Sequence, residues 1–313
     1  MFVLYHVFAS FSFDFSQSFL FLHKHLLMKK YFSQICLLAS VFVFAQSCSN
    51  NKPEKTTDEF TDTVGTLKDS AALKAEEMLD FKFFYTLANL PSPMDMINAI
   101  YQNKVPFSKD LLNPPDNSSN YSSGFKKAVN YGIYGIDMAY AAFYGQNQDL
   151  LDYYSTSKKM AEKLNVQETF DLFTSSFMDN EQNKDSLVKI IDRAYSETDN
   201  YLRSNRRVEV ASHVLAGSIM EALYLSVELM KNDERTSANA NLFDKIYNEK
   251  LYLENLISLF SDLSKYPSSA NLLVQLKSIK KVFDGIKSSE DLNKANMALL
   301  SKAILPVRND LVK

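Results

Sequence analysis

Seven glycines and eight prolines are all that interrupt 313 residues. Between them, apolar side chains return at steps of three and four. That scarcity excludes the dense turn punctuation of a sandwich or barrel, and the period is that of helices laying one face on a core. With 46% hydrophobic and 23% charged residues, the chain can bury a substantial core. The pattern predicts an all-α protein, either an antiparallel multi-helix bundle or a curved array of helix pairs.

From Asp69 onward, Ala72, Leu73, Glu76, Leu79, Phe83 and Leu87 mark a first helix. Asp69 and Ser70 are its expected N-caps. Pro91, Ser92 and Pro93 end it and start a second helix at Met94. "LLNPPDNSSNYSSG", residues 111–124, reads as a surface loop. Helices are then expected over 125–145, 148–164, 167–179, 184–204, 207–231, 236–264, 269–286 and 289–311. Their links are short, which favours antiparallel neighbours. No consensus recurs at a fixed period.

The N-terminal region carries a targeting pattern that begins at Met28. "MKKYFSQICLLASVFVFAQSC" has a basic start at Lys29 and Lys30, an apolar run from Ile35 to Ala45, and then Cys48. It resembles a bacterial lipoprotein signal peptide, with Ala45 where leucine is commonest and Gln46 and Ser47 as variants. The resemblance implies cleavage before Cys48 and lipidation of that cysteine. Residues 1–27 then read as an upstream start chosen in error, 28–47 as the signal peptide, 48–67 as a flexible tether and 68–313 as a single helical domain. The only other cysteine, Cys36, lies inside the signal, so neither a disulfide nor a catalytic thiol is expected. Two or more acyl chains hold a protein stably at a membrane, and no transmembrane helix is then needed.

Loss of residues 1–47 removes Lys24, Lys29, Lys30 and Asp14, taking the formal charge from −3 to −5. A mildly acidic domain lacks the basic footprint of a nucleic-acid binder. His213 is the one histidine left, which excludes a metal site built on several imidazoles. No G-x-S-x-G elbow is present. The pattern calls for no metal and no cofactor.

Candidate site residues fall on two helices. In "YGIYGIDMAYAAFYGQ", residues 131–146, Ala128, Gly132, Gly135, Ala139 and Ala142 share one side. Each interior glycine costs about 1 kcal/mol against alanine, so another helix backbone is expected to approach there. The other side carries Tyr134, Asp137, Tyr140 and Tyr144. Tyrosine hydroxyls at helical spacing from Asp137 can donate to its carboxylate. Asp137 is thus either a lock on helix register or part of a ligand groove. In "HVLAGSIMEALY", residues 213–224, Glu221 shares a stripe with Val210, Val214 and Gly217 and is expected to point inward. A buried glutamate needs a partner, and Arg193, Arg206 and Arg207 are the candidates. General acid or base work is the alternative. His213 completes the candidate binding set.

"LPSPMDM", "LLNPPDNSSNY", "KKAVNYGIYGIDMAYAAFYGQ", "NKDSLVKIIDRAY", "YLRSNRRVEVASHVLAGSIMEALYLS" and "LPVRNDLV" run in order over most of residues 79–312. Together they resemble an uncharacterised family of exported all-helical lipoproteins from Bacteroidetes-type bacteria. The resemblance implies a helical domain held at the cell envelope, at the outer rather than the inner membrane, and carries no activity. The functional expectation is a non-enzymatic binding or assembly module whose partners are the membrane, through Cys48, and an envelope protein, peptide or glycan. The alternatives are a hydrolase of envelope polymers with Asp137 and Glu221 as paired carboxylates, and a purely structural envelope protein.

Overall fold

The structure, a computed structural model, describes residues 62–313 apart from Leu90 and Glu181, with residues 62–71 described by their backbone alone. The signal peptide, Cys48 and the start of the tether lie outside the described residues. The described part is all helical, without strands. Its α-helices are α1 Asp62–Asn89, α2 Pro93–Gln102, α3 Gly124–Phe143, α4 Asn147–Lys163, α5 Gln167–Asp171, α6 Thr174–Asp179, α7 Lys184–Ser204, α8 Val208–Met230, α9 Ala240–Asp262, α10 Pro267–Asp284 and α11 Lys294–Leu311. The first helix begins at Asp62, inside the stretch expected to be tether. Asp69 and Ser70 therefore sit within a helix rather than capping one. Side-chain caps are made instead by Ser92, Ser123, Asn183 and Asn293.

Two helices distant in sequence, α3 and α8, form the centre. Every residue of α3 from Ala128 to Phe143 is buried, and so is most of α8. Although α8 is long and apolar enough to cross a membrane, it is covered by the other helices. Around this pair stand α4 and α7 against α3, and α2, α9 and α11 against α8. Consecutive helices do pack together in α3–α4, α9–α10 and α10–α11, as short links require. The closest association is nonetheless the non-consecutive central pair.

Glycine makes that pair possible. A Cβ on Gly132 would lie 2.0 Å from the Val214 carbonyl oxygen, and one on Gly217 would lie 2.0 Å from the Val129 carbonyl oxygen. Each glycine therefore admits the backbone of the opposite helix, as the small-residue side of α3 predicted. Gly135 has a different neighbour: its missing Cβ makes room for the Tyr195 ring of α7, 2.4 Å from where that atom would stand. Tyr195 stacks on Tyr131 with ring centroids 4.7 Å apart, and its hydroxyl donates to the Tyr131 carbonyl at 3.0 Å.

The connection between α2 and α3 runs over the surface, as expected for residues 111–124, but is anchored inward at a few positions. It contains two short 3-10 turns, Lys109–Leu111 and Pro115–Ser119, and it buries Leu112, Asn113 and Tyr121. Irregular backbone can be buried only when its polar groups find partners. Here α3 supplies them.

Candidate functional site

Tyr134, Tyr140 and Tyr144 hold the α2–α3 connection and do not donate to Asp137. Tyr134 donates to the Pro114 carbonyl at 3.0 Å, and Tyr144 to the Val105 carbonyl. The Tyr140 hydroxyl accepts from the Ser108 amide at 3.1 Å and donates to the Pro106 carbonyl at 3.4 Å. Phe107 stacks on Tyr140 at 4.9 Å between centroids. Burial pushes all three phenols above their ordinary range, so they remain donors at physiological pH. The expected tyrosine-lined groove is thus filled by the protein's own chain.

Asp137 and Glu221 do come together, in the interior. Both are 0% exposed. Asp137 Oδ2 accepts from the Asn113 amide at 3.1 Å. Asn113 in turn donates from its side chain to Tyr121 at 3.0 Å and to Asn130 at 3.1 Å. Asp137 Oδ1 meets no donor, and the carboxyl lies near enough to Glu221 to feel its charge. Burial, and after it the charge of Glu221, raise the Asp137 carboxyl well above the usual carboxylate range. Asp137 therefore holds its proton more tightly than an exposed carboxyl does.

The partner of Glu221 is Arg308 of α11, and not Arg193, Arg206 or Arg207. Arg308 donates from Nε to Oε2 at 3.1 Å and from Nη2 to Oε1 at 2.9 Å, a two-pronged pair. It also reaches the Leu111 carbonyl at 3.2 Å and lies 4.7 Å from the Tyr224 ring centre. The three arginines expected to do this are occupied elsewhere. Arg207 donates to the Leu164 carbonyl at 2.8 Å, Arg193 lies over the Phe173 ring, and Arg206 is exposed with a φ of 57° between α7 and α8. Glu221 and Arg308 pair as opposite charges, and a proton held on Asp137 leaves the buried cluster neutral. Two carboxyls flanking a scissile bond need an open cleft with room for a water, and this pair has none.

His213 is separate from the acid pair. It is 3% exposed, its Nε2 is 2.8 Å from Ser269 Oγ, and its ring meets Phe125 edge-on and lies beside Phe260. Burial lowers its pKa to about 4, which keeps it neutral. The six candidate residues thus form a loop clamp, an internal acid pair and an isolated core histidine.

The open space lies elsewhere. Beside the Pro91–Pro93 turn, α3, α7 and α8 leave a cavity of about 270 Å³. Its apolar wall includes Leu87, Met94, Ile136, Leu215 and Ile219, and its polar wall includes Asp192 and Asp199. Asp199 Oδ1 is sealed from solvent and meets no donor, and burial raises its pKa to about 8. On the other side of the same turn, a space of about 20 Å³ borders Glu249 of α9, enough for about one water. Glu249 is 2% exposed, has one oxygen without a donor, and is raised by burial to about 8. Sequence reasoning singled out none of Arg308, Asn113, Asp199 or Glu249. Arg308 did carry a signal, because it interrupts the apolar stripe of Ile304, Val307 and Leu311.

The class defined by this fold is an all-α helical bundle with a polar cluster locked at its centre. Comparison with protein-family models, curated protein sequences and solved structures finds no match for the chain.

Proposed function

We infer that the protein is a lipid-anchored lipoprotein of the bacterial cell envelope, held through Cys48 at the outer membrane, whose helical domain is a non-enzymatic binding module. The cavity beside Pro91–Pro93 is its ligand site. One observation carries this reading: Glu221 is spent on Arg308 and Asp137 is sealed in the interior, whereas Asp199 lines open space. Ligand sites combine an apolar wall with a few unsatisfied polar groups in this way. The test has two arms. Cys48→Ser should abolish incorporation of labelled palmitate and release the protein from membranes. Saturation-transfer NMR with a small-fragment set should give hits on the full-length protein in non-ionic detergent, and Asn200→Trp, placed at the exposed cavity wall, should remove them. Equal hits on both proteins would discard the cavity as the site.

A second reading, of an assembly role at the membrane surface, is supported by the outer side of α1. Met78, Phe81, Phe84 and Tyr85 are all more than half exposed there, an apolar face larger than scattered surface residues provide. Its occupant in this reading is the bilayer. Asp62 stands only fourteen residues after Cys48, which limits its distance from the anchor to about 50 Å. The chain has no tryptophan, so Phe81→Trp would report alone. Quenching by brominated lipid in reconstituted vesicles supports the reading, and unquenched emission discards it.

A further inference from the structure

The ligand chemistry follows from the wall of the cavity beside Pro91–Pro93, and the inference rests on that cavity being the ligand site. Its ionisable wall residues are Asp192, Tyr195 and Asp199, and its lining includes neither lysine nor arginine. Two of the three are engaged. The Tyr195 hydroxyl donates to the Tyr131 carbonyl at 3.0 Å, and Asp192 Oδ1 accepts from Ser92 Oγ at 2.6 Å. Asp199 is left with an oxygen that no donor reaches. The cation that acts on it, Arg203 one turn along α7, is gripped by both oxygens of Asp80 at 2.8 and 3.2 Å. A shielded carboxylate without a donor is a standing cost, which a ligand bringing a charged N–H would relieve. An anion would find no cation in the lining to pair with. A hard divalent cation wants six or more oxygens, and one free carboxylate among aliphatic side chains does not supply them.

We propose that this cavity binds an organic monoamine, a single ammonium group on a compact apolar body, with Asp199 as its counter-ion. The body packs on Leu87, Met94, Ile136, Leu215 and Ile219 while the ammonium donates to the Asp199 carboxylate from the cavity side. Burial holds empty Asp199 at about 8, so capture of an ammonium at neutral pH is accompanied by loss of the carboxyl proton. The titratable and charged groups facing Asp199 are Asp192, Tyr195 and Arg203 on α7 and Tyr131 on α3, with Asp80 of α1 behind Arg203. Among the lining residues, α3 presents Ile136, and α8 presents Val214, Leu215, Ser218 and Ile219. Affinity for an amine that stays charged therefore rises by about tenfold per pH unit up to about 8 and levels beyond it.

Isothermal titration of the full-length protein in non-ionic detergent with benzylamine, benzyl alcohol and benzoate tests the assignment. Benzylamine is expected to bind at least about tenfold more tightly than benzyl alcohol, and benzoate to give no heat. Asp199→Asn, which preserves shape, should bring benzylamine down to the level of the alcohol and leave the alcohol unchanged. The unchanged alcohol shows that fold and cavity survive the substitution. Asn200→Trp should abolish both. Equal affinities for amine and alcohol, or an amine affinity indifferent to Asp199→Asn, would overturn the amine assignment while leaving the cavity as a ligand site. Absence of binding by all three probes would remove both.

Discussion

Asp137→Asn and Arg308→Met perturb one buried cluster, and the structure predicts very different costs. Burial and the neighbouring Glu221 favour the protonated form of Asp137, because ionising it would place a second buried carboxylate beside Glu221, with Arg308 alone to serve both. Asparagine copies the shape of a protonated aspartate. Its oxygen can accept the Asn113 amide and its NH₂ can donate to Glu221, so the cost should stay below about 1 kcal/mol. Arg308→Met removes the bonds of 2.9 and 3.1 Å to Glu221 and the donor to Leu111. Orphaning a buried charge in that way costs about 3–5 kcal/mol. Adding Glu221→Gln to Arg308→Met removes the orphaned charge and should recover a large part of the loss. Urea unfolding followed by far-ultraviolet circular dichroism measures all three. The pH dependence gives a second readout. A folded pKa raised above the unfolded value of 3.8 means that the native state holds the extra proton. Stability from this group is complete below about 4 and is lost as pH rises through the folded value. Asp137→Asn should therefore lose less stability than wild type as pH rises. If Asp137→Asn costs as much as Arg308→Met and leaves the pH profile unchanged, Asp137 is ionised and the neutral-cluster argument fails.

Gly217→Ala would set a methyl 2.0 Å from the Val129 carbonyl oxygen; forcing the central helices apart should lower unfolding free energy by at least about 1–3 kcal/mol in urea melts. Tyr140→Phe and Tyr144→Phe each remove a hydroxyl bonded to the α2–α3 connection, at a cost of about 1 kcal/mol each, and amide exchange over residues 105–114 should quicken while that in α8 does not. His213 is depressed to about 4 from 6.5, so its contribution is present above about 6.5 and lost as pH falls towards 4, by about 3 kcal/mol; His213→Gln should flatten that acid limb in chemical unfolding between pH 4 and 7.

Helix positions were legible because most of them obey one local rule. The apolar stripe of α7, through Leu187, Ile191, Ala194, Tyr195, Thr198 and Leu202, can be read from spacing alone. Helix ends were less so. At Lys104, Asn165 and Arg206 the chain takes positive φ, and only Asn165 belongs to a residue type that advertises it. The predicted helix over 167–179 breaks into α5 and α6 at Leu172 and Phe173, where neither glycine nor proline gives warning. Gly132 correctly foretold close backbone approach, whereas the space at Gly135 is taken by the Tyr195 ring, which spacing on one helix could not show.

What spacing could not supply was the partner of each buried polar group. Tyr140 and Tyr144 were read against Asp137 because all three lie on one helix, yet their partners come from a connection some 32 to 39 residues upstream. Glu221 was matched with arginines near it in sequence, while Arg308 stands 87 residues away. Gly132 and Gly217 already restrict slides of α3 over α8, but apolar packing leaves the α2–α3 connection and α11 more freedom, since one methyl contact replaces another at little cost. The bonds from Asn113 to Asp137 and from Arg308 to Glu221 do not permit that freedom. They tie the α2–α3 connection, α3, α8 and α11 into one register, because any slide that breaks a bond leaves a buried charge or amide unsatisfied. The aspartate that weakens α3 as an isolated helix thereby helps to choose a single arrangement of the bundle.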